Sequence, residues 1–383
     1  MMPEGDQFAM TANTRLHDLY MRGGQSPWLD NIRRGWITGG DLTEWVRRGV
    51  RGLTSNPSIF QKAITATADY DDEFRDSIDA GLDVESSYWR LVTSDIAAAA
   101  AVLREVYDSS DGLDGFVSVE VAPGLARDSA ATARAARHLH QQLALPNLYV
   151  KIPGTAEGLA PIAAMIAEGN SINVTLIFSV ERYLEVADAY MSGLEQNPGD
   201  LSNVSSVASF FVSRIDTEVD RRLTEIGSDE ALQLRGKAAI ANAKVAYSHF
   251  LRLCSEPRWQ ALAARGARPQ RLLWASTSTK NPAYPDTLYV DELIGPGTVN
   301  TLPDATLEAF EHHGTVEPTL ASGMEEAAEV LDRIAAAGVD LDAVAAQLED
   351  EGVAAFSKSF DELLGVLGDK ADDLQALSGR SHP

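Results

Sequence analysis

Short apolar or β-branched runs alternate along the chain with longer, alanine-rich stretches of helical character, and eight such runs can be counted within the 383 residues. That alternation is expected of parallel strands joined by helical crossovers, and eight parallel strands suggest closure, so the predicted class is α/β, a (β/α)8 TIM barrel with additional N- and C-terminal helices. A single domain over 1–383 is expected, with the barrel core at about 26–315 and the extra helices at 1–25 and 316–383. Gly and Pro are scattered at strand ends, and no internal repeat or low-complexity linker divides the chain.

In chain order, Leu16, Leu19 and Tyr20 have roughly helical spacing and predict a leading helix covering the bottom of the barrel. Strands centre on 28–30, 52–55, 116–121, 148–152, 172–177, 204–211, 272–275 and 298–302. Helices fill the gaps at 87–106, 130–143, 157–167, 181–194, 217–226 and, longest, 230–253, with alanines that favour helix. Residues 256–270 read as an insertion. Beyond the eighth strand, 304–310, 323–337, 341–348 and 354–367 read as surface helices with no evident chemistry.

Hydrophobic residues make up 45% and charged residues 23%, as in ordinary soluble proteins, but the formal net charge is −24. Such acidity repels phosphate backbones and acidic membranes, so nucleic acid is not an expected partner, and a phosphorylated substrate must be met by local cations. The single cysteine, Cys254, permits neither an internal disulfide nor a cysteine metal cluster, and a cytoplasmic protein is expected. Residues 1–12 hold no apolar core flanked by positive charge, and no apolar run approaches bilayer length, so neither export nor membrane anchoring is expected. No nucleotide loop or dinucleotide fingerprint is present, and no cofactor or metal is expected. His138, His140, His312 and His313 read as structural, Asp71, Asp72 and Glu73 as a solvated face, and Trp28, Trp36 and Trp274 as core or rim packing.

Lys151 stands alone in the apolar run at 148–152, where a buried strand meets a Pro-Gly breaker. An ammonium among aliphatic neighbours sheds its proton more readily, and the neutral amine can attack a carbonyl, which points to Schiff-base chemistry. The structural alternative is a snorkelling or salt-bridged lysine at a strand end. Companions at the other strand ends shift the balance, because the active site of such a barrel lies at the carboxyl ends of its strands. Asp30, Asn56, Glu120, Asn173 and Thr175 fall there. Singly, Asp30 reads as a helix cap, Asn56 as a turn residue and Glu120 as a partner of Arg127; together they make one polar mouth.

The runs 54–60 (TSNPSIF), 117–121 (VSVEV), 150–153 (VKIP) and 172–179 (INVTLIFS) resemble transaldolase signatures, and the likeness continues through 209–216 (SFFVSRID) and 274–277 (WAST). It spans 28–302, nearly the whole barrel, and the combination and order of motifs are highly specific. The resemblance implies transfer of a dihydroxyacetone unit from sedoheptulose 7-phosphate or fructose 6-phosphate to an aldose phosphate, in the non-oxidative pentose phosphate pathway. Lys151 would form the Schiff base, Asp30 would act as acid and base, and Glu120 and Thr175 would hold the water of imine formation and hydrolysis. Asn56, Asn173, Ser209 and Phe211 would bind the sugar, and Arg214 and Ser276 its phosphate. Where relatives carry an arginine after the seventh strand this chain has Lys280, taken as the replacement; Phe210 and Ser213 also depart from the Pro and Gly of many relatives.

A fructose 6-phosphate aldolase shares barrel and lysine, but resembles glutamine at the position of Glu120 and tyrosine at that of Phe211, so glutamate and phenylalanine favour transfer over release. A general class I aldolase carries its lysine on another strand. A catalytically silent barrel that binds sugar phosphates or proteins remains the non-enzymatic reading. The assembly is expected to be a monomer or a homodimer.

Overall fold

Each strand pairs in parallel with its sequence neighbours and the last pairs back to the first, closing a barrel in the order β1 (Gln25–Leu29), β2 (Leu53–Thr54), β3 (Val117–Glu120), β4 (Leu148–Pro153), β5 (Ile172–Ile177), β6 (Ser206–Phe211), β7 (Arg271–Ala275) and β8 (Thr298–Leu302). The computed structural model describes residues 14–378, so the expectation for 1–12 lies outside the described residues. Strands occur at all eight expected positions, and the predicted fold class is the one observed. Every residue of β4, LYVKIP, is buried, as strands covered on both faces require. Helices are set by local signals: Asn56, Asp83, Asp128 and Ser179 cap four of them through side-chain oxygens that accept backbone N–H groups one turn on.

Register aligns the site. Glu120 on β3 stands opposite Lys151 on β4, and Lys151 stands opposite Asn173 on β5. Neighbouring residues of a parallel pair point to the same side of the sheet, so these three side chains form one layer inside the barrel.

The leading helix is Arg15–Met21, with Leu16 and Leu19 fully buried. Tyr20 is only half-buried, and the Arg51 guanidinium stacks 3.7 Å from its ring centroid. The stretch expected at 87–106 is two helices, Val84–Val102 and Arg104–Ser109. The long helix expected at 230–253 is likewise two, Asp229–Gln233 and Ala238–Ser255, divided near Gly236. Gly236 takes φ +71, and a Cβ there would lie 2.7 Å from the Tyr284 ring, so the glycine both breaks the helix and admits the tyrosine. Residues 256–270 contain the helix Pro257–Ala263, packed on Val180–Gln196 and Ala238–Ser255.

The C-terminal segment departs most from expectation. Instead of two surface helices at 341–348 and 354–367, one helix of 38 residues runs from Leu341 to Ser378. It packs on the helices after β2, on Val84–Val102, on the turn after β3 and on Ser213–Ile226, and so crosses the carboxyl mouth of the barrel. Gly352 does not break it; a Cβ there would lie 2.8 Å from Leu176 Cδ2, so the glycine lets the helix pass close over β5. Two residues expected on a solvated face are also engaged: Glu73 pairs with Arg34 at 2.8 Å and Arg90 at 3.6 Å, and Asp71 pairs with Lys370 of the C-terminal helix. Asp72 is the solvated member at 94% exposed, paired only with Arg75 one turn on at 2.9 Å.

Candidate active site

Lys151 is 5% exposed and projects into the upper barrel. Its Nζ donates to the Ser55 carbonyl at 3.1 Å and lies 3.4 Å from Glu120 Oε2, an ion-pair distance without hydrogen-bond geometry. Neither Glu120 oxygen nor Thr175 Oγ1 has a hydrogen-bond partner among the described residues, although all three are buried. Burial pushes the Glu120 carboxyl above the usual carboxylate range; Lys151 draws it back and Asp30 adds to the rise. The expected alternative partner, Arg127, is engaged elsewhere, with Glu157, Glu349 and Asp350.

Asp30 follows β1 directly and does not cap a helix. Its Oδ1 accepts the Thr54 hydroxyl at 2.7 Å, and Thr54 in turn lies 2.6 Å from the Thr301 hydroxyl. Burial raises this carboxyl too, against the lowering pull of Lys151 and of the Thr54 bond. The interior layer is tied by a second chain: Asn173 donates to Ser118 Oγ at 3.1 Å and accepts from Ser209 Oγ at 2.7 Å. Asn56 does serve as a cap, accepting from Ile59 N at 3.0 Å through Oδ1, which leaves its amide nitrogen for the space it lines.

These groups surround a cavity of about 130 Å³ at the barrel mouth. Of the eleven residues expected to form a site, nine line it: Asp30, Asn56, Lys151, Thr175, Ser209, Phe211, Arg214, Ser276 and Lys280. Glu120 and Asn173 lie beside Lys151 in register, as described above. The lining also includes Thr54, Ser278, Thr301, Pro303 and Phe356, which sequence reading missed. Thr54 stood in a quoted motif and could have been found there; Phe356 could not, because it reaches the cavity from the C-terminal helix.

One side of the cavity is cationic. Arg214 stands at the start of the helix Ser213–Ile226, 5.2 Å from the Phe211 ring centroid, and no carboxylate lies within 4.0 Å of it among the described residues. Lys280 Nζ donates to Ser278 Oγ at 2.6 Å and also lacks a close carboxylate among those residues. Burial lowers the basicity of both, and for Lys280 the neighbouring Arg214 and Lys62 lower it further. Ser276, at φ +57, lies 2.9 Å from Ser213 Oγ. In a chain of net charge −24, two cations with no carboxylate in contact, beside a buried amine, can hold an anion while the amine attacks a carbonyl. No helix of the described residues is long and apolar enough to cross a membrane, and no group of three or more potential metal ligands occurs among them.

The family described as transaldolase/fructose-6-phosphate aldolase matches residues 27–367. The chain is 52% identical over 346 residues to the transaldolase of Thermobifida fusca (strain YX), covering 89% of this chain and 94% of that protein. It is 50% identical over 349 residues to the transaldolase of Frankia alni, covering 90% of this chain and 94% of the relative. Transaldolase 1 of Streptomyces coelicolor is 48% identical over 354 residues, with 91% and 93% covered.

Proposed function

We propose that this chain, which belongs to the transaldolase/fructose-6-phosphate aldolase family and is an enzyme that transfers aldehyde or ketone residues, works through a Schiff base on Lys151. The substrates would be ketose phosphates, sedoheptulose 7-phosphate or fructose 6-phosphate, and aldose phosphates, glyceraldehyde 3-phosphate or erythrose 4-phosphate, in the non-oxidative pentose phosphate pathway. The observation that carries this reading is a buried amine 3.4 Å from Glu120 Oε2, opening on the same cavity as Asp30.

The amine attacks the ketone carbon, its surplus proton passing to a neighbouring carboxylate, and loss of water leaves an iminium. Asp30, whose raised pKa makes its carboxylate a stronger base, takes the proton of the C4 hydroxyl. The C3–C4 bond then breaks, its electrons reach the iminium nitrogen, and an aldose phosphate departs while an enamine stays on Lys151. The enamine carbon attacks the acceptor aldehyde, Asp30 returns the proton, and water restores the amine. Glu120 and Thr175 would hold that water, with oxygens that have no partner among the described residues. Asn56, Asn173 and Ser209 would bind the hydroxyls of the retained fragment, which is kept in place until the acceptor arrives. Arg214, Lys280 and Ser276 would take the phosphate.

Phe211 supports transfer over release of free dihydroxyacetone, because its ring lines the cavity and brings no hydroxyl to hold water. The reading is tested by borohydride reduction in the presence of fructose 6-phosphate, together with a coupled assay with and without erythrose 4-phosphate. The expected result is a reduced adduct at Lys151 and acceptor-dependent release of glyceraldehyde 3-phosphate, both absent in Lys151→Ala. An adduct on another residue, or release that ignores the acceptor, would refute it.

A further inference from the structure

Helix Ser213–Ile226 carries two carboxylates one turn apart, and each makes the same pair of contacts. Asp216 accepts the Ala239 N–H at 2.8 Å and the Tyr289 hydroxyl at 2.8 Å. Asp220 accepts the Gly236 N–H at 2.8 Å and the Tyr284 hydroxyl at 2.6 Å. Each acid therefore joins its own helix to the corner around Gly236 and to the connection between β7 and β8. That connection holds Ser276, Ser278 and Lys280, and the helix that anchors it holds Arg214.

The connection is pinned at both ends of its arch. At the near end Ser213 N donates to the Ser276 carbonyl at 3.0 Å and the two serine hydroxyls lie 2.9 Å apart. At the far end the tyrosines grip Asp220 and Asp216. Between them, residues 277–283 form neither helix nor strand, and Lys280 is exposed. Arg214 and Lys280 have the same charge and repel, so a lysine on an untethered arch would lose its place beside Arg214 and be ordered again only when an anion binds. A tyrosine hydroxyl on a carboxylate is a charge-assisted bond strong enough to oppose this, and Gly236 leaves the room that the Tyr284 ring occupies.

We propose that Tyr284, held by Asp220, is a positioning residue for the phosphate side of the cavity: it keeps the arch bearing Lys280 at a fixed distance from Arg214. Tyr289 on Asp216 is the second rung of the same ladder. The inference rests on the phosphate role given above to Arg214 and Lys280.

The test is Tyr284→Phe, with Asp220→Asn as a second variant that carries the same comparison if the first does not fold. For Tyr284→Phe, the KM for fructose 6-phosphate and the inhibition constant of inorganic phosphate are expected to rise together, on the order of tenfold, the size of one lost charge-assisted bond. The kcat should stay within about twofold, and the KM for unphosphorylated fructose should not move, since only phosphate binding is loosened. Asp220→Asn, which keeps one acceptor oxygen, should fall between. An unchanged phosphate constant, or equal losses on fructose and fructose 6-phosphate, would overturn the proposal. Arg214→Ala and Lys280→Ala separate the two levels. If they weaken phosphate inhibition and Tyr284→Phe does not, only the tether falls; if they leave it unchanged, the phosphate site falls and the tether with it.

Discussion

The two ends of the barrel use buried charge in opposite ways. At the base, Asp114 is fully buried and accepts from Arg51 at 2.8 Å, Arg271 at 3.0 Å, Ser26 at 2.8 Å and Trp28 Nε1 at 3.2 Å. Burial alone would raise its pKa, but Arg271 and Arg51 hold it below the usual carboxylate range. At the mouth, Asp30 and Glu120 flank Lys151, with Lys280 and Arg214 drawing on Asp30 more weakly, and burial still carries both acids above that range. One carboxylate between two guanidiniums is a closed arrangement that fixes the strand starts of β1 and β7 to the loops before β2 and β3. Two carboxyls around one amine remain short of compensation, which costs stability but leaves groups able to move protons.

This contrast breaks most sharply at its two centres. If Lys151 forms the proposed Schiff base, Lys151→Ala should lower transfer activity by at least about a thousandfold while thermal unfolding still reports a cooperative fold, because binding cannot replace a nucleophile. Asp114→Ala should do the reverse. Removing the buried partner of two part-buried guanidiniums should destabilise by about 3 kcal/mol, with kcat retained in the fraction still folded at low temperature. A variant at Asp114 that lost activity without losing stability would erase the distinction.

The pH dependence of stability sharpens it, since the two acids have opposite signs. Asp30 has a folded pKa above its ordinary 3.8, so the native state binds the proton more tightly and its contribution to stability falls as pH rises from 3.8 through the raised value. Thermal midpoints of Asp30→Asn should therefore gain on the parent protein as pH rises over that window. Asp114, with a pKa below 3.8, contributes stability that is present above 3.8 and lost as pH falls through the depressed value. Asp114→Asn should accordingly trail the parent at neutral pH and converge with it in acid. Parallel curves for the two variants would contradict the assignment.

The smallest expected effect concerns the lid over the mouth. Phe356→Leu keeps an apolar side chain where the C-terminal helix lines the cavity, so the loss of stability should stay below about 1.5 kcal/mol. The looser closure should raise release of free dihydroxyacetone relative to transfer by roughly twofold, through easier entry of water. Product analysis in the presence and absence of acceptor would measure the ratio.

Much of the mouth was legible in the chain because parallel strands in a barrel direct their carboxyl ends to one face, so a lone lysine after an apolar run and polar residues after others must converge there. Beyond the motif that contains Thr54, Thr54 and Thr301 carry no local mark of a site role; what marks them is a mutual 2.6 Å contact across β1, which follows from closure of the ring. The helix expected at 230–253 runs across Gly236 and the gap expected between 348 and 354 contains Gly352, and the structure reverses both. The first interrupts a run of good helix formers because a tyrosine from another segment needs its space, and the second fails to interrupt one because close passage over Leu176 rewards the missing side chain. Both outcomes depend on neighbours far along the chain.

Alternation of strand and helix, the positions of the eight strands and the identities of the groups at their ends followed from local periodicity and chemistry, which each segment carries within itself. The layer of Glu120, Lys151 and Asn173, the closed cluster around Asp114, the two-rung link from Asp216 and Asp220, and the path of the last helix over the mouth all depend on register and on contacts between distant segments. Those are set only when the barrel closes, because an amphipathic helix or a buried acid states that it needs a partner without stating which one.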